Sequence, residues 1–434
     1  MSLFLYNIFL VLYRTGIWFA SIVNPKAKQW IRGRKNLFDK IAAEVQGTHP
    51  VVWMHCASLG EFEQGRPLLE KISNSYPGYK LLITFFSPSG YEIVKNYKGA
   101  DHIYYLPPDS AANAKKFIEL VNPSLVLWIK YEYWYYYLNT LKQKKIPVLL
   151  VTAVFRRDMQ MFKWYGGFWE KMLKTFTHFF VQNQRSKKIL SSIISDSSIS
   201  VSGDTRFDRV IAIAGKFEEV PGIKNFCAQS KVIVAGSTWE DDEAEWTHYV
   251  KSHPEIKFII APHEIDKENL KDVKKQFPNS IFYSAWVSNI ADNGTPEKIS
   301  KEDIDKNRLE GINCLIIDSI GLLSKLYRYA DITYVGGGFG YDGLHNILEA
   351  AVYGKPVIFG PEYEKNFEAI ELLSTEGGIA IESALDLERT LNEILPDADE
   401  MKRRGEAAKN YVYSNAGATD KIFEYIQANR LLTN

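Results

Sequence analysis

The sequence predicts an α/β protein made of two similar halves, each a parallel β-sheet covered by helices. Short apolar segments of strand length alternate with helical segments through most of the 434 residues. This pattern is typical of parallel sheets buried on both faces. The alternation pauses around residues 204–222, where Pro221 and Gly222 indicate a linker, and then restarts. The length also fits two or three domains of ordinary size.

The composition excludes some classes of protein. Hydrophobic residues make up 46% of the chain and aromatic residues 14%, so a large core is expected and global disorder is not. The formal net charge is zero, which argues against a protein that coats nucleic acid, and no nucleic-acid partner is expected. Cys56, Cys227 and Cys314 lie far apart in the sequence and fit neither a zinc site nor a disulfide framework. They agree with a reducing cytoplasm.

The first 24 residues predict a membrane anchor. Residues 3–23 are apolar apart from Asn7 and Arg14 and approach spanning length, although an arginine at bilayer mid-depth costs about 3 kcal/mol. The basic residues that follow are Lys26, Lys28, Arg32, Arg34, Lys35 and Lys40. They would attract anionic headgroups and keep the next domain on the cytoplasmic side. The anchor either spans the membrane or lies in its interface; the alternative is a buried core helix.

The first half, residues 25–215, begins with a strand at 51–55, a loop of small residues and a helix that reaches about residue 72. The further predicted strands are 81–85, 102–106, 125–129, 148–152, 179–182 and 199–201. In the second half, residues 216–415, they are 231–235, 257–261, 314–317, 332–335 and 355–359. Ligands of open parallel sheets bind at the carboxyl ends of the strands, so two facing halves would form a cleft between them.

Two further segments complete the second half and the chain. The polar segment 291–307 is expected to be a surface loop. Residues 420–432 have an amphipathic helical pattern, and we expect the segment 416–434 to pack back on the first half.

A glycine-rich loop follows the strand 332–335. Glycines occupy positions 336, 337, 338, 340 and 343, and a helix is predicted over 345–353, ended by Gly354. Free backbone N–H groups at such a loop and helix start suit an anion such as phosphate. His345, Asn346 and Glu349 lie within about one helical turn, and Glu349 could accept hydrogen bonds from ribose hydroxyls. The alternative is a tight turn in an ordinary sheet.

Two acids follow strand ends in the first half. Glu61 lies in the first turn of a helix after a small-residue loop, where its carboxylate can face a ligand. The alternative is a capping box, in which Ser58 is the N-cap residue and Glu61 bonds back to it. Glu132 follows the strand 125–129, and its alternative is an ion pair with Lys130.

Arg206 and His263 are weaker candidates. Arg206 ends the first half and could hold a phosphate, or it could form a salt bridge with Asp204 or Asp208. His263 ends the strand 257–261, where a histidine is more often a structural residue than a catalyst. The sequence shows no acid cluster and no His/Cys set with metal spacing, so no protein-held metal and no cofactor are expected.

Taken together, these motifs resemble those of the 3-deoxy-D-manno-octulosonic acid (Kdo) transferases of lipopolysaccharide assembly. The resemblance covers nearly the whole chain. The motifs that carry it are Ile31-Arg32-Gly33-Arg34-Lys35 after the apolar start, Ala57-Ser58-Leu59-Gly60-Glu61, Glu132-Tyr133-Trp134, Gly203-Asp204-Thr205-Arg206-Phe207-Asp208, Gly236-Ser237-Thr238, and the glycine loop with His345-Asn346-x-x-Glu349.

The resemblance implies a fold of two Rossmann-like lobes, the GT-B type, and an inverting transfer of Kdo from CMP-Kdo to a lipid A precursor at the cytoplasmic face of the inner membrane. It implies that Glu61 is the general base on the acceptor hydroxyl and that Glu132 is a supporting acid. Phosphate or acceptor candidates are Arg206, Ser58 and Gly60. The implied donor-binding residues are Ser237, Thr238, His263, Ser319, Ile320, Gly321, Gly337, Gly338, His345, Asn346 and Glu349.

Two departures from the family pattern matter. Many members carry a first acid where this chain has Lys130, so only Glu132 matches. Many also have an arginine, a phosphate ligand, in the stretch where this chain has Ala261-Pro262-His263-Glu264. Either Arg206 or Lys325 could replace that arginine.

Two other functions are weighed against Kdo transfer. One is a GT-B enzyme that uses a UDP-sugar, as a glycosyltransferase or an epimerase, although a soluble epimerase would have no use for the apolar start and its basic flank. The other is a non-catalytic two-lobed sugar-binding protein, which would usually be exported, and this chain lacks a convincing cleavable signal.

Overall fold

The computed structural model of the chain describes residues 2–45, 49–293, 311–340 and 343–433. It divides into two compact units. The N-terminal unit comprises Met1–Arg209 and Ala416–Asn434, and the C-terminal unit comprises Val210–Asn415. The division falls inside the helix Thr205–Gly215 rather than after residue 215.

The N-terminal unit alternates strands and helices from residue 51 onwards. Its elements are α1 (Leu3–Ala20), α2 (Pro25–Arg32), α3 (Leu37–Glu44), β1 (Val51–Cys56), α4 (Leu59–Ser75), β2 (Lys80–Phe85), α5 (Pro88–Val94), β3 (His102–Tyr105), α6 (Ala111–Val121), β4 (Pro123–Ile129), α7 (Tyr135–Gln143), β5 (Val148–Ala153), α8 (Gly167–Leu173), β6 (His178–Val181), α9 (Gln184–Leu190), β7 (Ile199–Val201) and α10 (Thr205–Gly215). The strands form one parallel sheet in the order β3-β2-β1-β4-β5-β6-β7.

The C-terminal unit repeats this architecture. Its elements are α11 (Ile223–Cys227), β8 (Val232–Thr238), α12 (Glu240–Ser252), β9 (Lys257–Pro262), α13 (Lys267–Gln276), β10 (Ser280–Phe282), α14 (Tyr283–Asn293), β11 (Cys314–Ile316), α15 (Leu323–Leu326), β12 (Ile332–Val335), α16 (Leu348–Ala351), β13 (Val357–Phe359), α17 (Phe367–Ser374), β14 (Gly378–Ala380), α18 (Ala384–Ile394) and α19 (Ala398–Ser414). Its parallel sheet has the order β10-β11-β9-β8-β12-β13-β14. The predicted fold class, two Rossmann-like parallel-sheet halves, is confirmed.

The central strands are buried on both faces of the sheet. In β1 every residue is buried, and Trp53 packs in one core cluster while Val52 and Met54 pack in another. Successive side chains of a strand point to opposite faces, so the two clusters are the two sides of one sheet. Continuous apolar runs in the sequence are the consequence.

The last helix, α20 (Ala418–Ala428), belongs to the N-terminal unit. The Asp208 carboxylate accepts hydrogen bonds from the backbone N–H groups of Gly417 and Thr419, at 2.6 and 2.7 Å, and so satisfies the start of this helix. Ile422 and Ile426 are fully buried in the same core cluster as residues of α4. Asp208 therefore joins α10 to the start of α20, while Ile422 and Ile426 pack α20 on the core of the first sheet.

Three details of the sequence interpretation are wrong. The helix predicted over 345–353 is only the four-residue α16, since the backbone before it is a loop. Residues 291–293, expected in a surface loop, end α14, and residues 294–307 of that segment lie outside the described residues. Two strands were missed, β10 and β14, which are three-residue strands at the two edges of the second sheet.

Helix α1 packs along the surface of the N-terminal unit. Tyr6 and Leu10 are buried, and Tyr13 and Ile17 are half-buried, at a spacing that puts all four on one face. The Tyr6 hydroxyl donates to Asp109 at 2.6 Å, and Tyr13 contacts Trp30 and Phe86. The other faces remain exposed and apolar, with Phe4, Leu12 and Phe19 exposed by 71, 65 and 59%.

Candidate functional site

Both sheets have a point at which the strand order reverses, and the candidate residues gather there. In the N-terminal unit this point lies between β1 and β4, and in the C-terminal unit between β8 and β12. Glu61 follows β1 and Glu132 follows β4, while Ser237 and Thr238 end β8 and the glycine loop follows β12. Ligands of open α/β sheets bind at this place, at the carboxyl ends of the strands.

Glu61 lies in the first turn of α4, and its carboxylate accepts a 2.5 Å hydrogen bond from the backbone N–H of Ala57. Burial raises the pKa of Glu61 to about 7, and the negative charge of Glu132 raises it as well. The capping box considered from the sequence is incomplete, because the Ser58 side chain makes no capping hydrogen bond. Glu61 is thus a half-buried acid whose pKa burial shifts towards neutral pH.

Glu132 is held by a chain of hydrogen bonds from the centre of the sheet. Its carboxylate bonds to Nε2 of His55 at 2.8 Å and accepts from the indole N–H of Trp134 at 3.1 Å. The other ring nitrogen of His55 bonds to the Thr84 hydroxyl at 2.9 Å, and His55 is fully buried. The acid therefore pairs with His55 rather than with Lys130, the partner considered from the sequence. Its role as supporting acid stays a prediction.

Lys130 directly follows β4, and its backbone has a strained conformation. Its φ is +57°, and Thr152, at the end of the neighbouring strand β5, has a φ of +55°. Each such conformation costs about 1–3 kcal/mol for a residue other than glycine, and such strain clusters at functional sites. Burial lowers the pKa of Lys130, and the charges of Arg206, Asp204 and Glu61 also act on it. The lysine that replaces the first family acid therefore lies in the electrostatic field of Glu61.

Arg206 forms the salt bridge considered as its alternative. Its Nε and Nη2 donate to one oxygen of Asp204 at 2.8 and 2.7 Å. The same carboxylate also accepts a hydrogen bond from Gln182. The buried Asp204 therefore holds the side chain of Arg206 in place. Among the other acceptor-side candidates, Ser58 is half-buried and Gly60 is exposed. A ligand role for these three residues stays a prediction.

In the C-terminal unit, three rings stack beside the end of β8. The ring centroids of His263 and His345 lie 4.4 Å apart, and those of Trp239 and His263 lie 4.6 Å apart. The indole N–H of Trp239 donates to Nε2 of His345 at 3.0 Å. Ser237, just before, has a φ of +54°, and the Thr238 hydroxyl donates to buried Glu243 at 2.8 Å. The structure thus stacks His263 directly on His345. Trp239, which the sequence interpretation missed, contacts both of them.

The glycine loop is held by a buried carboxylate. Asp242 accepts from the backbone N–H of Gly337 at 2.8 Å, from that of Trp239 at 2.9 Å and from the Tyr334 hydroxyl at 2.6 Å. The Gly337 N–H, expected to face a phosphate, is therefore bonded to the protein in this structure. A Cβ on Gly338 would lie 2.6 Å from the backbone N of Gly360, so this glycine allows two strand ends to approach closely.

The remaining donor-side candidates lie at the start of α16 and on the loop after β11. Asn346 donates to Glu349 at 3.1 Å, so these two predicted residues do come together. On the loop after β11, the buried Ser319 hydroxyl has no hydrogen-bond partner among the described residues, Ile320 is 81% exposed and Gly321 has a φ of +89°. An unsatisfied hydroxyl beside an exposed apolar residue is consistent with a ligand-facing loop.

Lys325, one of the two residues considered as a replacement for the family arginine, pairs with Glu218 at 2.8 Å. Arg206 and Lys325 thus both have acidic partners in this structure. Within the part of the chain that the structure describes, no group of three His, Cys, Asp or Glu residues is placed to hold a metal ion.

Comparison with known proteins shows what the chain is similar to. Residues 31–209 match the family model of 3-deoxy-D-manno-octulosonic-acid transferase (kdotransferase). The 3-deoxy-D-manno-octulosonic acid transferase of Rickettsia felis is 27% identical over 89% of this chain and 81% of its own length. That of Aquifex aeolicus is 28% identical over 81% of this chain and 88% of its own. Residues 31–209 thus match the Kdo transferase domain, and the chain is similar to Kdo transferases over most of its length.

Solved structures agree with the fold of this chain. The UDP-GlcNAc 2-epimerase from Neisseria meningitidis superposes with a TM-score of 0.60, covering 87% of this chain and 100% of its own, at 16% identity. At that identity the likeness establishes the two-domain GT-B fold alone. The sequence interpretation missed His55, Trp239 and Asp242. His55 lies in a buried strand and the other two lie at the start of a helix, and each bonds to a residue distant in sequence.

Proposed function

We propose that the protein is an inverting glycosyltransferase that moves Kdo from CMP-Kdo to a lipid A precursor, an acylated glucosamine disaccharide. The observation that carries the proposal is Glu61, whose pKa burial raises to about 7. It lies in the segment that matches the Kdo transferase family model. A general base works best with a pKa near the operating pH, and this acid follows the central strand of its sheet.

In this proposal, the N-terminal unit binds the acceptor and the C-terminal unit binds CMP-Kdo. The acceptor hydroxyl gives its proton to Glu61 as its oxygen attacks the anomeric carbon of Kdo, and CMP leaves. The stacked rings of Trp239, His263 and His345 support the donor assignment, because aromatic faces bind nucleobases by stacking. Asn346 and Glu349, which are hydrogen bonded to each other, would meet the ribose hydroxyls.

The direct test is the release of CMP by the purified full chain from freshly prepared CMP-Kdo, with and without a lipid A disaccharide acceptor. Acceptor-dependent release is expected, and mass analysis of the lipid would count the sugars added. The release should persist in a chelator, since we propose that no protein-held metal takes part. If the folded protein released no CMP, the proposed donor would be wrong, and UDP-sugars would be the next substrates to test.

The positive charge of Lys130 leads to a prediction about the pH dependence of the reaction. Its positive charge lowers the pKa of Glu61, against the larger effect of burial. Glu61 must be ionised to accept a proton, so kcat/KM is expected to fall below about pH 7. Lys130→Met should raise the pKa of Glu61 further and reduce kcat/KM several-fold at pH 6, with less effect at pH 8. Lys130→Arg keeps the positive charge and serves as the control. If the fall of kcat/KM at low pH occurred at the same pH in Lys130→Met as in the unchanged protein, the predicted effect of Lys130 on Glu61 would be wrong.

The location at the cytoplasmic face of the inner membrane is also a proposal. Helix α1 is long and apolar enough to cross a membrane by length and composition, which by itself is weak support. Eighteen residues of α-helix are about 27 Å long, slightly less than a bilayer core. Because one face of α1 packs along the N-terminal unit from Tyr6 to Ile17, we propose that it lies in the membrane interface with its other faces in the lipid.

Substitutions on the exposed faces of α1 test this arrangement. The triple variant Phe4→Gln, Leu12→Gln, Phe19→Gln should weaken vesicle binding, measured by sedimentation, at least about a thousandfold, because each buried apolar side chain contributes about 1.5–3 kcal/mol and the three together about 4.5–9 kcal/mol. It keeps Tyr6 and Leu10, so the thermal transition of the protein should not change. Ile93→Gln removes an exposed apolar residue elsewhere in the same unit and is the control. Unchanged sedimentation of the triple variant would exclude α1 as the anchor.

A further inference from the structure

A pocket lies between α1, the α2–α3 region and the start of α6, and its volume is about 640 Å³. Its walls are mainly apolar, and its charged residues are two arginines, Arg14 and Arg34, with no acid among its lining residues. The apolar walls are formed by Val11, Trp18, Trp30, Ile31, Leu37, Phe38, Pro107 and Pro108. A pocket of this kind suits a ligand with a negative head and an apolar tail.

The Arg34 guanidinium is fixed in place. Its Nε donates to the carbonyl of Leu106 at 2.8 Å, its Nη1 to that of Trp30 at 3.1 Å and its Nη2 to that of Phe86 at 2.8 Å. It also stacks over the Trp30 ring, 3.9 Å from the centroid. All three acceptors are neutral carbonyls, and among the described residues neither Arg34 nor Arg14 forms an ion pair with a carboxylate. The two positive charges of the pocket are thus not ion-paired with a carboxylate of the described residues, although the negative charge of Glu132 acts on Arg34 without a hydrogen bond between them.

A second observation also points to a ligand. Trp30 is only 8% exposed, and its buried indole N–H has no hydrogen-bond partner within the part of the chain that the structure describes. A buried donor without a partner costs about 1–3 kcal/mol, so such groups usually meet a ligand or water. Trp30 lines the same pocket as the two arginines. An indole N–H and two guanidinium groups are the donors that bind phosphate and ester oxygens.

We propose that this pocket binds one anionic glycerophospholipid of the membrane, with its phosphate held by Arg14 and Arg34 and part of an acyl chain against Trp18 and Phe38. The pocket is walled by α1, whose free faces are apolar, so a lipid could enter from the surface that we place against the membrane. The bound lipid would supply the ion-pair partner that the arginines lack among the described residues and would join α1 to α2. The site is separate from Glu61, and its occupant takes no part in the transfer.

The test is native mass spectrometry of the detergent-solubilised full chain, titrated with phosphatidylglycerol or with phosphatidylcholine. One retained phosphatidylglycerol per chain is expected, in preference to phosphatidylcholine. Arg14→Gln should weaken retention about fivefold to tenfold, because a charge-assisted hydrogen bond is lost. Thr15→Trp, which fills the pocket from an exposed position of α1, should abolish retention while leaving the thermal transition in place.

Arg32→Gln is the matched control, since Arg32 is an exposed arginine of α2 outside the pocket. An equal loss of retention in Arg32→Gln would show general charge attraction and overturn the proposal, as would equal retention of both lipids. Displacement of phosphatidylglycerol by a lipid A precursor would assign the pocket to the acceptor instead. The assay contains no CMP-Kdo, so its result is independent of the proposed reaction.

Discussion

Glu61→Gln is expected to lower turnover by about 10²- to 10⁴-fold, the range contributed by a positioned general base. Glutamine keeps the shape of the side chain and an oxygen that can accept from the Ala57 N–H, so the start of α4 should stay intact. It cannot take a proton from the acceptor. Binding of CMP, measured by calorimetry, should be unchanged, because we place the donor in the C-terminal unit.

Glu63→Gln is the control for this variant. Glu63 lies on the same helix and pairs with Arg66 and Arg209 at the surface, where an ion pair contributes about 0–1 kcal/mol. It should retain turnover within about twofold, because the lost pair is worth so little. Full turnover in Glu61→Gln would remove the base assignment, and loss of CMP binding would show that the substitution disturbs more than the proton transfer.

Asp242→Ala is expected to have the second large effect. The carboxylate satisfies three donors, the Tyr334 hydroxyl and the N–H groups of Gly337 and Trp239, and it is fully buried. An unsatisfied buried donor costs about 1–3 kcal/mol. Burial also raises the pKa of Asp242, so its charge carries a desolvation cost that alanine removes. A net loss of about 2–4 kcal/mol is expected, which lowers the thermal midpoint of a unit of this size by roughly 4–16 °C.

The same variant should weaken CMP binding at least tenfold at a temperature where the protein remains folded. Asp242 holds the glycine loop and the backbone of Trp239 together, and both belong to the proposed donor site. Glu240→Ala, two residues earlier and exposed, should change neither quantity. If Asp242→Ala were less stable yet bound CMP normally, the carboxylate would be a stabilising residue only and the loop would not need it to receive the donor.

Much of the fold was predictable because it depends on local patterns. Buried parallel strands require continuous apolar runs, and twelve such runs were located close to their observed positions. The two missed strands, β10 and β14, are edge strands of three residues, too short to show a pattern. The helix predicted after the glycine loop was too long because the segment 345–347 has helix-compatible residues, while the packing of the loop holds it in another conformation.

The candidate site was predictable only in part. Features that depend on neighbouring residues could be predicted, whereas contacts between residues distant in the sequence could not. The sequence by itself determined the two sheets, the apolar start with its basic flank, and the positions of Glu61, Glu132 and Glu349, since strand ends and helix starts are local features. The tertiary structure decided the partners: His55 for Glu132, Asp242 for the Gly337 N–H, and the pocket that joins Arg14 to Arg34. These contacts join residues far apart in the chain, and the burial that sets the pKa of Glu61 exists only once the sheet and its helices have packed.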